Sequence, residues 1–321
     1  MIGTVGNPVI VRTEVEFSIK NVALFKFQDS PFFNEYFCYL LQSPSIVQQI
    51  EALTQGGIQK FVSLKVLRNL VVPLPPLPEQ KRIVDILTDR LSTIDKARTA
   101  TETQLKAAKA LPAAYIRQMF DSPEAQKWKR KKLGELTTVV RGSSPRPQGD
   151  SRYYGGDVPR LMVADVTRDG MYIKPKIDFL TEEGAKLSRP MKQDDVVMVV
   201  SGSPGLPGIL AVDACIHDGF VGFRDLNTKT LINSFLFYYL KFINSITDAQ
   251  AAGAIFRNLT TDQIKEFDIA VPYLETQELT VNFLGEKISN SRNLQQSLQS
   301  QLNTINKLPA ALLRQAFNGE L

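Results

Sequence analysis

The side chains best equipped for chemistry in this 321-residue chain lie in one loop, Arg141-Gly142-Ser143-Ser144-Pro145-Arg146-Pro147-Gln148-Gly149-Asp150-Ser151-Arg152-Tyr153-Tyr154-Gly155-Gly156. It combines permanently charged guanidinium forks, hydroxyls, two adjacent aromatic rings and glycines that let a backbone come close. Those groups grip phosphates and read base edges; the bland alternative is a solvated connection of the same composition. Candidate contacts in the loop are Arg141, Ser143, Arg146, Arg152, Tyr153 and Tyr154, with Ser201, Ser203, Arg257 and Asn258 in glycine-flanked turns further on. Arg146 and Arg152 suit base reading, because an arginine fork matches guanine O6 and N7, whereas the basic run Lys129, Arg130, Lys131 and Lys132 suits phosphates.

Other chemistries lack their residues. Asn7-Pro8-Val9 is the nearest string to the D/N-P-P-Y/F loop of an amino-methyltransferase, and it fails; no G-x-x-x-x-G-K-[ST] occurs. Ser201-Gly202-Ser203-Pro204-Gly205 misplaces its glycine for a nucleophile elbow. Asp178, Glu182, Glu183 and Lys186 read better as a solvated helix start than as a metal-nuclease cluster, and the single histidine, His217, as a partly buried or loop residue. Cys38 and Cys215 make neither a disulfide framework nor a thiolate metal cluster. No metal site and no catalytic group is expected. A net charge of +5 permits a polyanionic partner. The absence of a long apolar run or a signal peptide predicts a cytoplasmic chain with no membrane partner.

The elements that must position these residues are written twice. The stretch from Val71 to Phe120 repeats in Ile269 to Phe317, ungapped from Val72 on Ile269 to Phe120 on Phe317: Pro75 on Pro272, Gln80 on Gln277, Leu111-Pro112-Ala113-Ala114 on Leu308-Pro309-Ala310-Ala311, each pair offset by 272 − 75 = 197. After a Pro-rich lead-in, each copy carries a heptad seam: Val84, Leu87, Leu91, Ile94 and Leu105 in the first, Val281, Leu284, Ile288, Leu298, Leu302 and Ile305 in the second. Polar residues, Thr101 and Ser291 among them, interrupt both seams near the middle. As helix, residues 79–118 would span roughly 60 Å. So narrow an apolar stripe cannot bury itself, which predicts that the two copies pack together as an antiparallel pair. Pro112 and Pro309 are expected to kink the two helices at equivalent places. The duplication extends upstream: strand-like Val9-Ile10-Val11 and Val22 to Phe27 and a helix over 31–40 are answered by Ile209 to Val212, Gly219 to Arg224 and a helix over 231–240. Gln55 to Lys60 is answered by Ala252 to Arg257. The stretch from about Trp128 to Pro204, which includes strands at Val158 to Val163 and Val196 to Val200, has no counterpart, so the first copy is expected to lack its opening half.

On Pro73-Leu74-Pro75-Pro76-Leu77-Pro78-Glu79-Gln80, its weaker echo Val271 to Gln277, the 141–156 loop, Gly253 to Leu259 and the ending Leu313 to Leu321, the chain resembles the specificity subunit of type I restriction–modification enzymes. The resemblance implies a mixed α/β fold in which target-recognition domains alternate with two long helices packed as an antiparallel coiled-coil spacer. It divides the chain into a partial first recognition domain (1–73), a helical region (74–122), a complete second recognition domain (123–272) and a second helical region (273–321). It implies a non-catalytic subunit that reads a split target in double-stranded DNA and docks modification (methyltransferase) subunits on its helices, beside a restriction subunit. S-adenosylmethionine, ATP and Mg would then belong to those partners. The partial first domain would need a complementing chain or homodimerisation. A structural adaptor without a DNA role, or a defective fragment that only binds modification subunits, would carry the same duplication and seam.

Overall fold

The computed structural model describes residues 7–13, 15–28, 30–53, 62–202, 204–248 and 260–321. Its helices and strands run α1 Asn34–Gln42, α2 Pro44–Leu53, α3 Leu64–Arg68, α4 Leu77–Phe120, β1 Arg130–Lys132, α5 Leu133–Leu136, β2 Thr138–Arg141, β3 Tyr154–Leu161, α6 Val163–Asp169, β4 Tyr172–Ile173, β5 Asp178–Leu180, α7 Glu182–Leu187, β6 Arg189–Met191, β7 Val196–Val199, β8 Pro207–Leu210, β9 Ala214–Ile216, β10 Phe220–Arg224, α8 Asn233–Asp248, α9 Thr261–Lys265, β11 Asp268–Ala270, α10 Leu274–Ile305 and α11 Leu308–Phe317. The chain forms two compact units: Met1–Ala108 with Leu294–Leu321, and Lys109–Asn293.

In the first unit, Tyr36 and Leu40 of α1 and Ile46 and Ile50 of α2 bury against Ile83, Val84 and Leu87 of α4 and Leu312, Leu313 and Ala316 of α11. Leu91 and Ile94 pack on the edge of this cluster. Further along α4, Leu105 and Ala108 meet Leu298 and Leu302 of α10. Early residues of α4 thus meet the last helix and later ones meet earlier residues of the second copy, so the pair runs antiparallel with apolar side chains in its seam. Thr101, one of the polar lapses, is buried there and returns its hydroxyl to the Ala97 carbonyl at 2.9 Å. Ile305 stays half-exposed.

The two expected strands at 9–11 and 22–27 do not form. No strand is assigned among the described residues 7–28, and Val9, Phe17 and Leu24 are more than half exposed. A strand exists only through its ladder partners. In the second unit the corresponding strands β8 and β10 pair with β2, β4 and β7, all from residues 138–199, and no strand among the described residues of the first unit supplies such partners.

The second unit holds a five-stranded sheet in the order β2-β10-β7-β8-β4, a four-stranded sheet β5-β3-β9-β6, and the two-stranded β1-β11. Alternation along β7 divides its side chains between two cores. Val196 and Met198 face one with Phe235, Leu236 and Leu240 of α8, while Val197 and Val199 face the other with Leu161, Leu210, Ile216 and Phe220. Burial on both faces accounts for an unbroken apolar run rather than an alternating one. Ile116 and Phe120 from the end of α4, and Val281, Leu284 and Ile288 from the start of α10, enter the first of these cores. Phe120 sits edge-on to Trp128, Phe235 and Tyr239.

Pro112 lies inside the continuous α4, whereas Pro309 stands in the first turn of the separate α11. The two prolines, equivalent in sequence, are therefore not equivalent in structure, and the second marks a helix start rather than a kink. The duplication itself shows in a pair of buried glutamines. Gln80 accepts from the Phe33 N–H at 2.8 Å and donates to the Pro31 and Pro75 carbonyls at 3.0 and 2.9 Å. Gln277 accepts from the Ile232 N–H at 3.0 Å and donates to the Thr230 and Pro272 carbonyls, both at 2.8 Å. Pro75 and Pro272 keep the offset of 197, while Pro31 to Thr230 gives 230 − 31 = 199, so the repeats slip by two residues ahead of the helices.

Candidate nucleic-acid interface

Three turns of the second unit meet at one place. The 141–156 loop leaves β2 and starts beside the turn between β9 and β10: the Gly142 and Ser143 N–H groups donate to the Phe220 and Ile216 carbonyls at 3.0 and 3.1 Å. A side chain on Gly142 would strike the His217 carbonyl, and one on Gly219 would strike the His217 ring and the Ser201 hydroxyl of the β7–β8 turn. Glycine at both positions is what lets the turns close on each other.

Asp218, in the β9–β10 turn, is the hub. Its carboxylate accepts from the Ser144 hydroxyl at 2.6 Å and lies 3.7 Å from the Arg146 guanidinium, and its carbonyl accepts from Arg141 Nε at 2.9 Å. The Ser144 hydrogen bond holds the Asp218 carboxyl below the usual carboxylate range, so it stays charged at neutral pH. Beneath the loop, the buried Arg160 of β3 pairs with Asp178, donates to the Ser144 hydroxyl at 2.9 Å, and lies over the Tyr154 ring at 5.4 Å. Its Nε is left without a hydrogen-bond partner. Tyr154 closes the loop by donating to the Pro145 carbonyl at 2.8 Å. His217 Nδ1 accepts from the Gly219 N–H at 2.9 Å; burial, reinforced by Arg160, pushes its pKa down and keeps the ring neutral.

The loop side chains are not equally available. Arg152 grips Asp150 through Nε and the terminal nitrogen, at 2.7 Å for the closest pair, and stacks on Tyr153 at 5.1 Å. Arg141 and Ser143 are committed to carbonyls of the domain. Arg146, 68% exposed and held only at 3.7 Å, is the guanidinium placed to reach outward. Ser203, Arg257 and Asn258, with the 55–60 and 252–257 repeats, lie outside the described residues.

The basic run sits on a different element and divides by strand alternation. β1 pairs antiparallel with β11. Arg130 reaches the Tyr239 hydroxyl at 3.2 Å, and Lys132 pairs with Asp268 at 3.1 Å and Glu266 at 3.8 Å. Lys129 and Lys131 point the other way, into a groove.

The sequence reading missed Asp218, Ser144, Arg160 and Asp178 as the frame of the loop. One signal was present: an arginine inside the apolar run Val158-Pro159-Arg160-Leu161, which reads as a strand buried on both faces, demands a carboxylate partner.

Residues 3–107 and 125–304 match the family model of the type I restriction modification DNA specificity domain. Among similar chains are the type I restriction enzyme MjaX specificity subunit of Methanocaldococcus jannaschii, 25% identical over 76% of this chain and 58% of its own length, and the StySPI specificity subunit of Salmonella potsdam, 23% identical over 89% and 65%. This chain thus spans about three-fifths of the relatives it matches. Its fold is that of the HsdS subunit from Thermoanaerobacter tengcongensis, with TM-score 0.61 and 23% identity over 89% of this chain and 70% of that one. A structure from a study of the assembly and conformational transition of the type I R-M system superposes with TM-score 0.74 and 24% identity, over 89% and 71%. With the family model matched along most of its length, the chain belongs to the type I restriction modification DNA specificity family.

Proposed function

We propose that this chain is the sequence-reading subunit of a type I restriction–modification complex, binding double-stranded DNA through residues 123–272 and docking modification subunits on its helical regions. The observation that carries the reading is Arg146: an exposed guanidinium at the tip of a loop pinned to a sheet by Ser144, Asp218 and Arg160, and held only by a 3.7 Å contact to a carboxylate. A fork so placed can exchange Asp218 for guanine O6 and N7 without refolding the loop. Arg152 and Tyr153 flank it as a stacked pair. Chemistry on DNA, with S-adenosylmethionine, ATP and Mg, belongs in this reading to the modification and restriction subunits, and the complex works in the cytoplasm. Among the described residues no helix is long and apolar enough to cross a membrane.

The test is to co-express the chain with its modification subunit and map adenine methylation across the host genome. A split motif supports the reading, and Arg146→Ala should then change preference at one position by about 1–3 kcal/mol. A complex that forms yet leaves no motif would favour an adaptor without a DNA role.

A further inference from the structure

The groove beside β1 is separate from the Arg146 loop in its elements and in its charge balance. It encloses about 740 Å³ and is lined by Lys129 and Lys131 from β1, Lys229 from the segment between β10 and α8, and the rings of Trp128 and Tyr273. Lys127 also faces it, but lies 3.6 Å from Glu124, the only acid in the lining. No carboxylate among the described residues comes within 4.0 Å of Lys129, Lys131 or Lys229. The candidate arginines of the 141–156 loop, by contrast, each have a partner in their own domain: Arg141 a carbonyl, Arg152 a carboxylate at 2.7 Å, and Arg146, more loosely, a carboxylate at 3.7 Å. Three uncompensated ammonium groups around one open depression repel each other unless an anion sits among them. Lysine heads are point charges on flexible stems, suited to phosphate oxygens and unsuited to selecting a base.

We infer that this groove is a second, sequence-independent nucleic-acid site, in which Lys129, Lys131 and Lys229 hold phosphodiester groups of the duplex whose bases the Arg146 loop reads. The inference rests on the reading of the chain as a DNA-binding subunit and adds to it a backbone-holding surface on other elements. Tyr273, 86% exposed at the groove's rim, offers a ring face against the sugar–phosphate edge. Strand alternation explains why only half of the basic run takes part: Arg130 and Lys132 are held on the opposite face by Tyr239, Glu266 and Asp268.

Trp128 is the only tryptophan of the chain and lines the groove, so it reports on occupancy. The full chain is titrated with a fluorescently labelled random-sequence 30-base-pair duplex at several NaCl concentrations, following label anisotropy and Trp128 emission together. Wild-type protein should show both signals. The double variant Lys129→Gln/Lys131→Gln should lose the Trp128 response and lower the slope of log K against log salt by about two, at roughly 0.9 per phosphate contact. Duplex binding with an unchanged slope in the double variant would overturn the inference while leaving the DNA reading intact. Emission changes with inorganic phosphate but not with duplex would make the groove a small-anion site, also overturning it. No duplex binding by wild type at any salt would remove the DNA reading and this site with it; the groove would then belong to an acidic protein surface.

Discussion

Gln295 Nε2 of α10 donates to the Ala108 carbonyl of α4 at 2.9 Å. Ala108 stands four residues before Pro112, where a helix would supply the missing N–H of the proline. The partner helix therefore satisfies the carbonyl that Pro112 deprives of its donor, and α4 runs through the proline unbroken. In the first copy the residue equivalent to Gln295 is Arg98 (295 − 98 = 197), which pairs with Asp95 instead, and α10 ends at Ile305 before Pro309. Gln295→Ala should destabilise the protein by about 1 kcal/mol through the lost hydrogen bond. Pro112→Ala in the same chain should recover most of that loss by restoring the N–H. Urea denaturation of both single variants and the double variant checks the coupling, and simple additivity would refute it.

The buried glutamines fasten each long helix to its own domain through three hydrogen bonds. Gln277→Ala strands one N–H and two carbonyls, and should cost about 3 kcal/mol or more at about 1–3 kcal/mol per buried orphan. Amide hydrogen exchange at the start of α8 should rise in this variant, and at the start of α1 in Gln80→Ala. Unchanged protection in either would mean that the bonds contribute little.

Asp218 sits where a phosphate-facing surface would repel it, and it restrains Arg146. Asp218→Asn should therefore tighten binding to a random duplex several-fold and narrow the gap between target and random DNA. Competition binding with Asp218→Asn and Arg146→Ala side by side measures this. An unchanged random-duplex affinity in Asp218→Asn would show that the carboxylate does not restrain the guanidinium.

The neutral His217 ring makes the fold pH-sensitive from the acid side. Its folded pKa lies below the ordinary value of about 6.5. The unfolded chain therefore binds the proton more readily, and the stability that the neutral ring contributes is complete above pH ~6.5 and is lost as pH falls below it. Protonation also abolishes acceptance of the Gly219 N–H at Nδ1. Thermal melts from pH 8 to 5 should show wild type losing stability below pH ~6.5, with a flatter profile for His217→Asn, whose amide oxygen accepts at every pH. Parallel profiles would assign the pH dependence elsewhere.

Local pattern alone determined that the chain is duplicated, that residues 79–118 and their copy are helical with an apolar seam interrupted near its middle, and that the Arg- and Tyr-rich loop is the reading surface to test. Periodicity and an ungapped offset are properties of neighbours along the chain, so they survive without coordinates. Tertiary structure decided what depends on partners distant in sequence. Val9 to Val11 and Val22 to Phe27 form no strands although their pattern matches β8 and β10, because a strand needs a ladder supplied from elsewhere. Pro112 and Pro309 differ in that Gln295 donates to the Ala108 carbonyl four residues before the first, whereas α10 ends at Ile305, four residues before the second. The four adjacent cations of Lys129 to Lys132 divide two and two only because β1 pairs with β11. Arg146 alone is free to reach outward because Asp150 holds Arg152 while Asp218 holds Ser144 tightly and Arg146 loosely. That ranking among like residues is set by carboxylates that folding brings up from other turns, at distances sequence spacing does not encode.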